Sequence, residues 1–324
     1  MDSFALKRDL NKAKNIRDAQ KTSLEIKHGV HSDNCTLCGN SGNKFLVDIY
    51  GFSYYECNQC GSAYVSNRPD DKEISRIYNS DYYTEVTKIV YANDNIIDFR
   101  VKNIAEPKVD FVLNNITTKK KTWTDVGCGV GEIVKVVQDK GWDVVGVETN
   151  DSEREYGIKK FGINIDGEFI TESNIDTYGK KGVVSMFSII EHLSDPKSII
   201  RHISKVQEKD DNIVVEVPHY PSLTCFSQMT FPEHINRMMH PPLHLYLFSL
   251  KALKNIFEEN GYEITAVWYF GQDFYEMFST LGLFAPELNN SILHTKVSSL
   301  INDFQEVIDK KELSDEIIVV GRKR

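Results

Sequence analysis

A doubly wound α/β domain with a small four-cysteine module ahead of it is the fold class that this 324-residue sequence predicts. Two observations carry the expectation. From residue 122 the run TWTDVGCGVGEIVKVVQDKGWDVVGVETN reads as strand, glycine turn, helix, strand and terminal acid. Before it, CTLCG and CNQCG gather four cysteines into two compact pairs. The length suits one large domain with one or two small additions. A composition of 41% hydrophobic and 26% charged residues is that of an ordinary globular chain.

Residues 1–27 alternate charge with small apolar groups and lack the apolar core of a signal peptide. Phe4, Leu6, Leu10, Ala13 and Ile16 form one stripe of a basic amphipathic helix there. A helix docked on the protein's own surface is preferred to a membrane or partner helix. No stretch has the uninterrupted apolar length needed to cross a bilayer, so a cytoplasmic protein is expected. The net charge of -9 disfavours broad contact with phosphate backbones, which needs concentrated Lys and Arg. The basic end GRKR is read as a solubilising terminus.

Residues 28–68 form the cysteine module. Cys35 and Cys38, then Cys57 and Cys60, are each separated by two residues. That spacing turns both sulfurs of a tight turn toward one point, and two such turns supply the four thiolates that tetrahedral zinc accepts. The segment FLVDIYGFSYYEC between the pairs suits short strands. A structural zinc ribbon is expected, with a redox pair or an iron–sulfur site as alternatives. With four protein ligands it keeps no open position for catalysis. Its expected work is orienting substrate or simple stabilisation.

Residues 69–115 are expected to be a helical connection, in which Tyr78, Tyr82 and Tyr83 either close over a cofactor or pack on the core. The main domain occupies 116–324. Its first strand covers Trp123–Val126, its helix about Glu132–Lys140 and its second strand Asp143–Val147. Gly127, Gly129 and Gly131 allow the backbone to turn sharply and approach a ligand. Glu148 ends the second strand, where a carboxylate accepts both hydroxyls of a ribose. The third glycine comes one residue too early for the dinucleotide pattern G-x-G-x-x-G, whose pyrophosphate sits at a helix end.

DVGCGVG resembles motif I of class I S-adenosylmethionine-dependent methyltransferases, and GVE resembles their ribose-binding motif. GVVSMFSIIEHLSDP is similar to the fourth-strand motif, NIVVEVPH to the fifth strand, and SLKALKNIFEENGYEI to the helix and sixth-strand approach that follow. The likeness covers roughly residues 115–270. It implies a Rossmann-like seven-stranded sheet with strands near 162–165, 183–187, 213–217, 263–269 and 316–321, the last antiparallel. The segment 274–312 is then a helical insertion serving as a homodimer contact or a substrate cover. By the same likeness Asp125 and the turn, with Cys128, hold the methionyl part of S-adenosylmethionine. Glu148 holds the ribose, Thr149 is a further cofactor-binding residue, and Phe187 with Ser188 lines the cofactor near the transferable methyl. Glu191 and His192 either cap and pack a helix or, for His192, take part in catalysis. Asp166 and Glu172 are candidates near the adenine.

Between Pro218 and Ser249, proline, histidine and aromatics concentrate in a loop after the fifth strand, where the crevice of an open α/β sheet lies. His244 is the first candidate for a general base and His219 the second, because a neutral imidazole takes up a proton near neutral pH. A packed lid residue is the alternative for His244. His219, His234, His240 and His244 together also admit a second metal. The cysteine module combined with this core resembles the C-methyltransferases of nucleotide-linked deoxysugars. The match to their histidine segment runs through His244, Phe248 and Ser249, whereas Pro241, Pro242 and Leu243 replace their Tyr, His and Glu. A sugar-like small molecule or glycan precursor is the implied acceptor. An rRNA or other nucleic-acid methyltransferase and a non-catalytic binding protein are the competing readings.

Overall fold

The computed structural model describes residues 26–78, 80, 94–234 and 237–324. Nearly all of the expected helix over 1–27, together with Tyr82 and Tyr83, lies outside the described residues.

Seven strands build the main sheet: β4 (Thr122–Val126), β5 (Asp143–Val147), β6 (Ile165–Asp166), β7 (Val183–Phe187), β8 (Asn212–Pro218), β10 (Tyr262–Phe270) and β11 (Glu316–Lys323). Their spatial order is β10-β11-β8-β7-β4-β5-β6. The pairs β4/β5, β4/β7, β5/β6 and β7/β8 are parallel. Asp210 N bonds Lys323 O and His219 N bonds Asp315 O, so numbers rise along β8 as they fall along β11, and the last strand is antiparallel. Every residue of β8 is buried, as befits a strand covered on both faces. From β4 the chain steps outward to β5 and β6, then returns to β7 on the other side. That reversal opens a crevice at the carboxyl ends of β4 and β7.

The strand expected at 162–165 is displaced. Gly162 ends the helix Asp151–Phe161 in the left-handed region, at φ 65°. Residues 163–164 carry the chain back to the sheet, so pairing with β5 begins only at Ile165.

A second sheet runs β1 (Lys44–Ile49), β2 (Phe52–Glu56), β3 (Ala63–Val65) and β9 (Tyr246–Leu247), all pairs antiparallel. The insertion between β10 and β11 holds the helices Asp273–Phe284, Ile292–Ser298 and Ile301–Lys310. The chain divides into two compact units. One takes the described residues of 1–77 with 218–252 and 268–317; the other takes 78–217, 253–267 and 318–324. No helix among the described residues is long and apolar enough to cross a membrane.

Candidate cofactor and active site

In the unit that holds most of the main sheet, β4 leads into a turn that only a flexible backbone can make. Gly127 sits at φ 67°, and a Cβ there would lie 2.0 Å from Ile189 Cδ1. Gly129 sits at φ 55° and gives its N–H to Glu148 Oε2 at 3.0 Å. Asn150 N donates to Glu148 Oε1 at 2.7 Å. The half-buried Glu148 carboxylate is therefore aimed by the backbone at the mouth of the turn, with lone pairs left over on both oxygens. Thr149 beside it is exposed. Gly131 stands at the N-cap of the helix Glu132–Asp139, and Arg100 grips Glu132 in that helix's first turn. Cys128 N donates to Val147 O at 3.1 Å. Burial holds its thiol well above the ordinary range, so it packs as a neutral thiol.

Asp125, 2% exposed, accepts a hydrogen bond from Ser185 Oγ at 2.6 Å, and Trp123 Nε1 donates to the same hydroxyl at 2.7 Å. Burial pushes the Asp125 carboxyl up to about 7 against the pull of the Ser185 hydroxyl, with repulsion from Glu216 adding to the rise. One strand further, Phe187 lies in register with Glu216. Ser188 adopts φ 56°, unusual for a residue with a side chain, and its N–H reaches Glu216 O at 3.0 Å. Ser188 Oγ donates to Glu216 Oε1 at 3.3 Å, and Lys108 Nζ donates to that oxygen at 2.7 Å. Glu216 Oε2 is buried with no hydrogen-bond partner among the described residues. Lys108, Ser185 and Glu216 were not among the residues expected from sequence. Only Glu216 carried a signal, an acid inside the otherwise apolar strand NIVVEVP.

His192 closes the short turn Ile190–His192 after β7. Its Nε2 lies 3.5 Å from the fully buried Glu191 carboxylate, and its ring stands edge-on to Tyr78 with centroids 6.0 Å apart. Asp166 accepts from Tyr178 OH at 3.0 Å, whereas the exposed Glu172 pairs with His202 at 2.7 Å.

The other unit brings the four cysteines together. Cys35 and Cys60 Sγ are 3.8 Å apart, Cys38 and Cys57 Sγ 3.4 Å, and all four sulfurs lie within 4.8 Å of one another. These separations exceed a disulfide bond. They suit a tetrahedral metal, whose bonds of about 2.3 Å set sulfurs about 3.8 Å apart. The two knuckles match: Gly39 N returns to Cys35 O, and Gly61 N to Cys57 O. The Cys35 thiol, hydrogen-bonding toward Cys60, brings Cys60 down to about 5, while burial carries Cys38 up to about 11. A thiolate at Cys60 opposes ionisation of Cys35 and Cys38, an opposition that a bound cation relieves.

The histidine loop is stitched to this module. Leu247 pairs with Ala63, and Tyr246 with Tyr64. Val65 N donates to Leu245 O at 2.9 Å, Tyr54 OH to His244 O at 2.9 Å, and Ser249 N to Ser62 Oγ at 3.0 Å. A shared apolar core joins Val47, Phe52 and Tyr54 of the module to Tyr220, Met239 and Leu247 of the loop. His244 Nδ1 donates to Met238 O at 2.8 Å, and His219 Nδ1 to Ser314 O at 2.9 Å. A carbonyl only accepts, so in both rings Nδ1 carries a proton. Burial lowers the His219 imidazole to about 4, which keeps it neutral. The four histidines considered for a second metal do not gather as a ligand cluster among the described residues.

Residues 99–267, just over half of the chain, match the family model of a methyltransferase domain. An uncharacterized methyltransferase of Geobacillus sp. (strain WCH70) is 27% identical over 171 residues, covering 48% of this chain and 76% of that protein. The mitochondrial ubiquinone biosynthesis O-methyltransferase of Dictyostelium discoideum is 26% identical over 158 residues, covering 44% of this chain. The chain spans about half the length of that relative, 49%. Among solved structures, the magnesium protoporphyrin IX methyltransferase of Synechocystis PCC 6803 with bound SAH superposes with a TM-score of 0.50. It is 14% identical, with 78% of this chain and 100% of that one covered, a likeness of fold.

Proposed function

This chain belongs to the methyltransferase-domain family as an S-adenosylmethionine-dependent methyltransferase, and from that premise we propose that it methylates a small sugar-like acceptor, such as a nucleotide-linked sugar or glycan precursor. The observation that carries the cofactor side is the Glu148 carboxylate, held by Gly129 N and Asn150 N at the mouth of the glycine turn. In this reading Glu148 takes the ribose hydroxyls, with Thr149 at its side. Asp125, Cys128 and the glycine backbone line the methionyl portion, and Phe187 and Ser188 line the methyl. The buried Glu216 oxygen offers an acceptor for a donor group entering there. Bound, the cofactor supplies a methyl on a cationic sulfur that an in-line nucleophile displaces.

A hydroxyl acceptor must lose its proton as it is methylated. Nε2 of His244 or His219 is the site assigned to receive it, because Nδ1 is committed to a carbonyl in each ring. His192 is assigned an orienting part. The four cysteines are assigned a structural zinc, whose thiolate set fills a tetrahedron and whose module holds the His244 loop in place. Support for a sugar-like acceptor comes from the combined likeness in the cysteine module and in His244, Phe248 and Ser249. The Dictyostelium relative, by name an O-methyltransferase, favours an oxygen nucleophile.

Three variants test the assignment. Glu148→Ala is expected to weaken calorimetric binding of S-adenosylhomocysteine about tenfold or more, the scale of lost hydrogen bonds to a charged group. His244→Ala and His219→Ala are expected to keep that affinity, with at least one losing about 100-fold or more in turnover, the range of general-base catalysis. Full turnover in both removes the histidine base. Mass analysis after incubation with nucleotide-sugars identifies the acceptor, and no methylated sugar in any of them overturns that class.

A further inference from the structure

Glu216 is the one charged residue of β8, a strand buried along its whole length. A carboxylate there forfeits its hydration unless an opposite charge and hydrogen bonds replace it. Lys108, on the helix Glu106–Asn115, brings the charge to Oε1 at 2.7 Å. Ser188, the first residue after β7, binds Glu216 twice. Its N–H reaches Glu216 O at 3.0 Å and its Oγ donates to Oε1 at 3.3 Å.

The double grip falls on a strained residue. Ser188 stands at φ 56°, and a residue with a side chain persists in that region only where its surroundings over-determine it. The bend has a consequence next door. Ile189, directly after it, lies against the glycine turn: a Cβ on Gly127 would come within 2.0 Å of Ile189 Cδ1 and 2.7 Å of its Cγ1. If Ser188 relaxed to extended backbone, the chain would run on along β7 and lift Ile189 from Gly127. On the other side of the bend, Lys108 Nζ lies 5.8 Å from the centroid of the Phe187 ring, within reach of its π face. We propose that the buried Lys108–Glu216 pair is a positioning device, which through Ser188 seats Ile189 on Gly127 and so fixes the turn that receives the methyl donor. It rests on the cofactor reading above, whichever acceptor is methylated.

Calorimetry of S-adenosylhomocysteine binding to the full-length protein tests it as a two-by-two comparison. Lys108→Met with Glu216→Met exchanges the ion pair for apolar groups of similar volume, a change that often leaves stability near its starting value, which thermal melts check. With Ser188 in place, the exchange is expected to weaken binding about tenfold or more, because the bend loses its clamp. In a Ser188→Gly background the same exchange is expected to cost no more than about twofold, since glycine holds a positive φ unaided. Ser188→Val leaves the pair intact but resists the left-handed region, so it too is expected to weaken binding about tenfold or more. It is the deciding variant if the pair exchange does not fold. Equal losses in the Ser188 and Ser188→Gly backgrounds, or none in either, overturn the positioning role, and so does full affinity in Ser188→Val. A wild type that binds no S-adenosylhomocysteine overturns the cofactor reading and this proposal with it.

Discussion

Asp125 couples the carboxyl end of β4 to solution pH. Its carboxyl is raised from 3.8 to about 7 chiefly by burial. The folded chain therefore holds this proton more tightly than the unfolded chain. The resulting stabilisation is complete below about pH 4 and is lost as pH climbs toward about 7. Denaturant titrations across that window are expected to show stability falling with pH, and Asp125→Asn to remove part of the slope. Only part is removed, because Asp273, buried beside Asp315, is likewise raised to about 7. With Asp125 lining the methionyl portion as proposed above, the cationic donor favours the ionised carboxylate, so its affinity is expected to rise as pH passes about 7; calorimetry on either side of that value measures it. A second residue-scale prediction concerns Lys108 and Glu216, an ion pair with side chains 12% and 4% exposed. Lys108→Met leaves the Glu216 charge buried without its partner, a loss of about 3–5 kcal/mol. Thermal melts are expected to show that drop, and adding Glu216→Gln to return much of it.

At the scale of elements, the cysteine module matters through β9. A three-stranded ribbon of this size has too little core to hold itself, so under the zinc assignment proposed above it depends on the metal. Its fourth strand belongs to the histidine loop, and Ser249 Oγ donates to Cys60 O beside the knuckle. Losing the metal is therefore expected to release His244 without touching the glycine turn. One zinc per chain is expected by atomic absorption. Cys60→Ser is expected to lose the metal and most methyl transfer while retaining S-adenosylhomocysteine binding. A metal-free Cys60→Ser protein with full turnover refutes this coupling. The insertion has its own organiser, since Asp273 accepts from Thr224 N and Oγ1, Asp315 N and Gln305 Nε2. These bonds fasten the helices Asp273–Phe284, Leu223–Thr230 and Ile301–Lys310 around one buried carboxylate.

For the whole molecule, connectivity sets what can be removed. The unit with the cysteines is assembled from the described residues of three stretches of chain, 1–77, 218–252 and 268–317. Deleting residues 1–68 strips β9 of its neighbour and uncovers Tyr220, Met239 and Leu247. An open strand edge beside fresh apolar surface associates with other chains. The shortened chain is expected to show aggregated mass in light scattering, and a monodisperse, active product would refute this. Much of the architecture was readable beforehand because it is written locally. A buried parallel strand is a short apolar run, a glycine turn is three glycines, and a zinc knuckle is two cysteines two residues apart. The sequence by itself therefore determined the strand–turn–helix–strand unit with Glu148 and the gathering of Cys35, Cys38, Cys57 and Cys60, whereas the antiparallel last strand was expected only through the family resemblance. Only the tertiary structure decided that Lys108 meets Glu216, that Ser185 holds Asp125, and that the module shares its sheet with the His244 loop. Those pairs lie 60 to about 190 residues apart. Partners so distant leave no periodic trace in either segment, and only the packing of the sheets brings them within reach.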